Sequence, residues 1–201
     1  MAQRYFLYFK YDGTAYHGWQ IQPNSHTVQE VLQNALSTLL RENVQVVGAG
    51  RTDTGVHARM MVAHFDTDVE LDCVQIVYKL NRLLPKDISA EKLVRVGSDM
   101  HARFSAKSRT YHYYVHLRKD PFCRAYSCEL FYNLDFVKMN EAAALLLLYD
   151  DFAAFCKSNS DVKTTLCDVT EARWVDDGCG HWHFVITANR LSLIHISEPT
   201  R

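Results

Sequence analysis

Hydrophobic and polar positions follow two different periods along this chain, which predicts a mixture of strands and helices. Residues 4–10 alternate with period two and predict a strand with two apolar faces. Thr27 and Glu30 have the spacing of a capping box, and the apolar positions after them predict a helix to about Arg41. The same signals predict further strands over 44–49, 60–65, 92–96, 109–117, 166–175 and 181–188, and further helices over 72–83 and 135–149.

The order of these elements predicts the fold class. Strands and helices do not follow a strict βαβ alternation, so we expect an α+β fold with a largely antiparallel sheet flanked by helices. The segment 176–180 carries turn residues and predicts a hairpin between the last two strands. The sequence shows no internal repeat and no low-complexity linker.

Composition and charge exclude several classes of protein. The 201 residues are 48% hydrophobic and 22% charged, which excludes a wholly disordered chain. The longest aliphatic run, 142–148, is far shorter than the ~20 residues of a membrane helix, and no apolar signal core follows the N-terminus. The net charge is −1, so any binding to nucleic acid must depend on a local basic patch. The six cysteines form no Cys-x-x-Cys pair, which favours free thiols over a zinc ribbon.

The segment Gly48–Ala58 holds the densest set of reactive and flexible residues. It follows a predicted strand and contains three glycines, a carboxylate, a guanidinium and an imidazole. Glycines allow unusual backbone angles and close approach of a substrate. Asp53 lies two residues after Arg51, whose positive charge favours the ionised carboxylate that a nucleophile requires.

Other interpretations of this segment compete with catalysis. Asp53 could simply cap a turn. Gly50 and Gly55 have the spacing of a phosphate-binding loop, but Val56 and His57 stand where a lysine and a hydroxyl residue are needed. A dinucleotide-binding fingerprint fails because the third glycine is missing.

Metal binding is a further possibility at two places. Asp53, His57 and His64 could together bind a metal, although His57 is more often a packing or hydrogen-bonding residue. His181 and His183 share one strand face and could chelate a metal, but a pair without a third ligand is usually structural.

A second segment, residues 100–119, combines basic and aromatic side chains without any acidic residue. Basic groups suit phosphates and aromatic faces suit unstacked bases, so this pattern is typical of binding to single-stranded or looped RNA. Its strand places Tyr111 and Tyr113 on one face and His112 and Tyr114 on the other. An amphipathic strand with a solvated basic rim explains the composition equally well.

Several longer motifs resemble one known family. They are Tyr11-Asp12-Gly13-Thr14-x-Tyr16-x-Gly18-Trp19-Gln20, the Gly50–Ala58 stretch, Leu80–Pro85, His101–Ala106, Arg109-x-Tyr111-x-Tyr113 and Asp151-Phe152-x-x-Phe155. In this order, over about residues 4–190, they resemble the TruA family of tRNA pseudouridine synthases.

The resemblance implies a cytoplasmic homodimeric enzyme that isomerises uridine to pseudouridine at positions 38–40 of the tRNA anticodon stem-loop, without metal or cofactor. It implies an α+β fold with an RNA cleft. Asp53 then falls on the nucleophile, Arg51 on the residue that helps displace the target base, and Tyr111 on the aromatic that packs on uracil. We expect Arg109, Arg103 and His57 to assist substrate binding.

The resemblance also implies a division of the chain. We expect an N-terminal α+β half, residues 1–105, that carries the catalytic loop, and an incomplete C-terminal half, residues 106–190. The family continues with a helix that carries a further active-site arginine, whereas residues 191–201 match nothing in it. We therefore expect a truncated C-terminal part with a non-native tail over 191–201.

Two other functions are compatible with parts of the sequence. A non-catalytic tRNA-binding module would not need a carboxylate beside an arginine, but it would tolerate the missing helix. A metal-dependent hydrolase would use Asp53, His57 and the pair His181 and His183.

Overall fold

The computed structural model describes residues 2–155 and 164–189. The chain divides into two compact units, Met1–Ala106 and Lys107–Arg201. The tail predicted over 191–201 lies outside the described residues.

The first unit contains four strands and two helices. The strands are β1 (Gln3–Tyr11), β2 (Val47–Gly48), β3 (Ala58–Thr67) and β4 (Ile88–Val96), and the helices are α1 (Val28–Leu40) and α2 (Cys73–Leu83). The sheet order is β2-β3-β1-β4, and all neighbouring pairs are antiparallel.

The core of the first unit lies between one face of this sheet and the two helices. The strand alternation decides which face is buried, because the odd-numbered side chains of β1 from Tyr5 to Tyr11 enter the core. This core includes Tyr5, Leu7, Phe9 and Tyr11 from β1, Val28, Leu32 and Leu36 from α1, Leu80 from α2, and Ala63 and Phe65 from β3.

Both helices begin where the sequence predicts. The Glu30 N–H donates to Thr27 Oγ1 (3.4 Å), and the Val74 and Gln75 N–H groups both donate to Asp72 Oδ1 (3.1 Å). These caps satisfy backbone donors that have no partner inside a helix.

Strand β2 is shorter than the predicted strand over 44–49. Polar side chains of α1 take the backbone groups that a neighbouring strand would otherwise bind. The Val46 N–H donates to Gln33 Oε1 (3.2 Å), and Gln29 Nε2 donates to the Val46 carbonyl (2.7 Å). Val44 and Val46 are therefore buried without strand pairing.

In the second unit, the described residues form four strands and one α-helix. They are β5 (Arg109–His116), β6 (Cys128–Glu129), α3 (Phe136–Leu145), β7 (Val169–Gly178) and β8 (His181–Ala188). The sheet order is β6-β5-β8-β7, in which only the β5–β6 pair is parallel. The expected α+β class with largely antiparallel strands is confirmed.

Helix α3 covers one face of this second sheet. The Phe136 ring stacks on Trp182 with 3.8 Å between centroids, and the Asn140 side chain bonds both backbone groups of Trp174 (2.7 and 3.2 Å). The predicted helix over 135–149 ends early, since Leu146–Leu148 form a 3₁₀ turn.

The hairpin between β7 and β8 is tighter than predicted. Strand β7 continues to Gly178, so only Cys179 and Gly180 form the turn, with φ of +56° and +82°. Two consecutive positive φ values are typical of the type I′ turn that suits a twisted hairpin.

Candidate active site

Asp53 lies in the loop of residues 49–57 between β2 and β3, called here the Asp53 loop. The Ala49 N–H donates to the Val62 carbonyl (2.8 Å), which holds the start of the loop against the sheet. The Val56 N–H donates to the Asp53 carbonyl (3.2 Å) and closes a turn. Gly55 has φ +78° in this turn, a conformation that glycine adopts without steric cost.

The segment of residues 12–20 that follows β1, called here the supporting loop, holds the Asp53 loop through its backbone. The Trp19 N–H donates to the Thr52 carbonyl (3.1 Å), and the Gly55 N–H donates to the Tyr16 carbonyl (3.3 Å). At the end of β1, Tyr11 Oη lies 2.8 Å from Thr52 Oγ1. The backbone on both sides of Asp53 is thus fixed.

Two glycines of the supporting loop allow this close approach. Gly18 has φ +83°, and a Cβ there would collide with the Thr52 carbonyl oxygen and lie 3.2 Å from the Asp53 carbonyl carbon. A Cβ at Gly13 would collide with the Val56 carbonyl oxygen. The motif glycines are therefore needed for contact between the two loops.

The supporting loop is itself anchored on Asp87, which follows α2. Tyr16 Oη donates to Asp87 Oδ1 (2.8 Å), and the Asp12 N–H donates to the Asp87 carbonyl (2.8 Å). Burial, and then the Asp87 carboxylate, raise the pKa of the Tyr16 phenol well above its ordinary value. The phenol therefore remains a hydrogen-bond donor at neutral pH.

His57 connects the two loops through its side chain. Its Nδ1 lies 3.1 Å from the Gly13 nitrogen and 3.0 Å from Asp12 Oδ1. A neutral ring with the lone pair on Nδ1 accepts the Gly13 N–H, whereas a proton on Nδ1 pairs with Asp12. In either protonation state the ring holds the two loops together.

The side chains of Asp53 and Arg51 are exposed on this fixed backbone. No ion pair joins them in the part of the chain that the structure describes. The carboxylate is accessible to a large substrate, and the guanidinium can reach outward for a phosphate or a base.

Arg103 lies in a turn that packs beside the same sheet. The Ala102 N–H donates to Nδ1 of the buried His64 (3.3 Å), and the Arg103 N–H donates to His101 Nδ1 (3.1 Å). The Arg103 guanidinium carbon lies 5.8 Å from the ring centroid of Phe104, which is 77% exposed. A cation beside an exposed aromatic ring suits contact with RNA.

Tyr111 and Arg109 belong to β5 in the second unit. Tyr111 lies opposite Ile186 and is 37% exposed, and Arg109 Nη1 donates to the Asn189 carbonyl (3.1 Å). The structure thus brings Arg51, Asp53 and His57 into one loop and places the other three predicted residues elsewhere: Arg103 in the first unit, and Tyr111 and Arg109 in the second.

The sequence alone does not predict that Tyr16, Gly18 and Asp87 position the Asp53 loop. Tyr16 and Gly18 belong to a motif whose spacing signals a loop but not its contact with residues 52–55. Asp87 carries no local signal, because its partner lies 71 positions away.

The predicted metal sites do not form within residues 2–155 and 164–189. Asp53, His57 and His64 do not converge there, and the one group of three potential ligands lies in the second unit. His183 Nδ1 bonds Asp177 Oδ2 (2.7 Å), while His181 lies near a different carboxylate, that of Asp120. The two histidines therefore do not act as a pair.

Comparison with known proteins decides the family. A family model described as tRNA pseudouridine synthase matches residues 7–105. The tRNA pseudouridine synthase A of Bacteroides fragilis is 54% identical over 191 residues, which cover 94% of this chain and 76% of that protein. The protein of the same name from Porphyromonas gingivalis is 50% identical over the same coverage. The one from Bacillus licheniformis is 41% identical over 85% of this chain and 70% of its own length.

The chain belongs to the tRNA pseudouridine synthase A family. The expected TruA resemblance is thereby confirmed, and with it the assignment to an isomerase family that forms pseudouridine in tRNA. The matched family segment 7–105 contains both loops described above and the turn at Arg103.

No helix among the described residues has the length and apolar character needed to cross a membrane. The family name implies that the substrate is tRNA.

Proposed function

We propose that this chain isomerises uridine to pseudouridine at positions 38–40 in the anticodon stem-loop of tRNA, with Asp53 as the catalytic carboxylate. The observation that supports this proposal is the double-loop arrangement, in which Asp53 is exposed while hydrogen bonds fix Thr52 and Gly55 on either side. A preorganised carboxylate suits catalysis because little reorganisation is needed during the reaction.

The reaction exchanges one bond for another without an external reactant. The bond between uracil N1 and ribose C1′ breaks, the base turns, and a bond forms between C5 and C1′. The proton on C5 is lost to solvent, and N1 gains a proton. An ionised carboxylate can attack the sugar or assist its deprotonation.

The target base must first leave its stack, which costs a few kcal/mol. Arg51 is exposed two residues before Asp53, so it can occupy the space that the base leaves. Arg103 and Phe104 offer a further cation and an aromatic face in the first unit. Tyr111 packs on the uracil, and Arg109 and His57 assist binding. The enzyme acts in the cytoplasm as a homodimer.

The test of this proposal is the position of the modified nucleotide. Purified protein is incubated with tRNA transcripts that carry uridine at position 38, 39 or 40, and with a matched transcript that carries cytidine at all three. Pseudouridine has the same mass as uridine, so the nuclease fragments are first labelled with a carbodiimide that is retained on pseudouridine. Mass spectrometry of the labelled fragments should then find the added mass in the anticodon stem-loop of the first set only. Modification elsewhere would refute the positional assignment, and binding without modification of any transcript would favour a non-catalytic tRNA-binding module.

A further inference from the structure

Three potential metal ligands of the second unit converge outside the loops described above. Asp120 and Cys123 lie in the segment between β5 and β6, and His181 is the first residue of β8. Asp120 Oδ2 lies 3.3 Å from Cys123 Sγ and 3.8 Å from His181 Nε2. The three donor atoms lie within 4.8 Å of one another, and all three residues are half-buried.

The local backbone orients the carboxylate and the thiol toward one point. The Phe122 N–H donates to Asp120 Oδ1 (2.8 Å), so the other carboxylate oxygen is directed to the thiol and the imidazole. The Cys123 carbonyl accepts the N–H groups of Tyr126 (2.9 Å) and Ser127 (3.0 Å), which closes the turn that carries the thiol.

The His181 imidazole is held in place by the buried His116. The His181 ring stacks on the ring of His116 at 5.8 Å between centroids and 18° between planes. His116 is buried, and its Nδ1 lies 2.9 Å from Ser127 Oγ. Since Ser127 also bonds the Cys123 carbonyl, the thiol and the imidazole share one support.

The spacing of these donors is close to that of a tetrahedral site, and the third pair, the Cys123 sulfur and the His181 ring nitrogen, lies within 4.8 Å. Zinc–ligand bonds of about 2.0–2.3 Å give roughly 3.3–3.8 Å between neighbouring ligand atoms of a tetrahedron. The two distances from Asp120 Oδ2, 3.3 Å and 3.8 Å, fall at the two ends of this range. A thiolate and an imidazole favour zinc over magnesium or calcium, which prefer oxygen ligands.

We propose that Asp120, Cys123 and His181 bind one zinc ion, with water as the fourth ligand. Binding displaces the thiol proton of Cys123 to solvent, and the thiolate then bonds the metal. The ion connects the segment after β5 to the first residue of β8, so it stabilises the end of the sheet at which these two central strands meet. This proposal does not depend on Asp53 or on tRNA.

Metal titration of the tag-free chain of 201 residues tests the site directly. Co²⁺ is used as a spectroscopic probe, and Zn²⁺ then displaces it. We expect one equivalent of Co²⁺ to bind with the visible absorption of a tetrahedral site and a thiolate charge-transfer band. No stoichiometric binding, or an octahedral spectrum without the thiolate band, would overturn the proposal.

Two variants test the ligands Cys123 and His181, and a third serves as the control. Cys123→Ser should remove the charge-transfer band, and His181→Gln should weaken Zn²⁺ binding by more than the roughly 10- to 100-fold that loss of a ligand's supporting partner costs. Cys179→Ser is the matched control, because Cys179 is an exposed thiol two residues before His181. It should bind like the wild type. Unchanged binding in Cys123→Ser would refute the assignment.

A thiol-protection measurement on the wild type tests the site without relying on variants that fail to fold. Saturating Zn²⁺ should slow alkylation of Cys123 at least tenfold, while Cys179 should react at the same rate with and without the metal, as measured by peptide mass spectrometry. Equal protection of both thiols, or of neither, would contradict the site.

Discussion

Gly18 is a position at which both the backbone conformation and a collision with the Asp53 loop oppose a side chain. Its φ of +83° and its contact with the Thr52 carbonyl both exclude a Cβ. Gly55 has a similar φ of +78° but open space where its Cβ would be. Alanine substitutions at the two positions therefore separate the cost of the positive φ, which both share, from the cost of the collision, which only Gly18 has.

We expect Gly18→Ala to lower turnover and to destabilise the protein by more than Gly55→Ala. Left-handed backbone alone costs an alanine about 1–2 kcal/mol, and only Gly18 adds the collision. Urea unfolding and single-turnover kinetics measure both effects. Gly178→Ala, at φ +83° with open space and far along the chain in β7, is the control that should change stability without changing turnover. Equal losses in Gly18→Ala and Gly55→Ala would show that the collision is relieved at no cost.

Tyr111 is expected to act on the base more than on tRNA affinity. Tyr111→Ala should lower the single-turnover rate by more than it weakens binding, because one stacked side chain contributes little to a contact made by many phosphates. Tyr113→Ala alters the next residue on the same face of β5 and serves as the comparison. Loss of binding with an unchanged rate would assign Tyr111 to affinity alone.

At the scale of elements, the two faces of β1 have different roles. One face forms the core, and the other holds the turn that presents Arg103. Arg4 bonds the Asp66 carboxylate through two nitrogens (2.7 Å each), and Arg4 Nη1 also donates to the carbonyls of Ser98 and Met100 (3.0 Å each). The hydrogen bond from Arg4 lowers the pKa of Asp66, while His64, next to it on the sheet, has its pKa lowered by burial first and then by His101 and Arg4.

The lowered pKa of His64 predicts a loss of stability in mild acid. The unfolded chain takes up a proton near pH 6.5, whereas the folded imidazole resists it, so the unfolding free energy falls as pH drops below about 6.5. His64→Gln cannot titrate and should show a flatter profile between about pH 7.5 and pH 5.5. Asp66 does not contribute in this window, because its stabilising ion pair is lost only below the ordinary carboxyl range. Parallel profiles from urea unfolding would contradict the assignment to His64.

Most elements could be predicted from periodicity and caps, and each exception has a physical cause. The helix over 135–149 was extended too far because its aliphatic run has high helix propensity throughout and no local stop signal. The predicted strand over 44–49 was too long because Gln29 and Gln33 of α1 bind its backbone. Strand β6 has only two residues and leaves no periodic pattern.

The Asp53 loop was found from its residue types, but its geometry was not. Glycines near a carboxylate indicate a loop that a substrate can approach closely. The contacts that fix the loop are not local: Gly18 lies against Thr52, and Tyr16 is bonded to Asp87, which is 71 positions away. Arg51 is expected to favour the ionised carboxylate of Asp53 by its nearby charge, but no ion pair joins the two side chains within the described residues. Side chains two apart on an exposed loop are free to point to different partners.

At the scale of the whole molecule, similarity and structure support the same enzyme by different routes. Relatives 41–54% identical establish the family over most of the chain. The structure adds the reason why the family motifs occur together in the first unit, since the Tyr11–Gln20 motif holds the loop that carries Asp53. The residues in the second unit, Tyr111 and Arg109, are assigned by resemblance and stay predictions.

The most direct test of catalysis by Asp53 is tritium release from tRNA labelled at uridine C5. The wild type should release tritium, and Asp53→Asn should lose roughly three orders of magnitude or more in rate, the scale of removing a catalytic nucleophile, while it still binds tRNA. Asp99→Asn removes a charge from an exposed aspartate of the same unit and should retain activity. Normal release by Asp53→Asn would contradict the catalytic assignment.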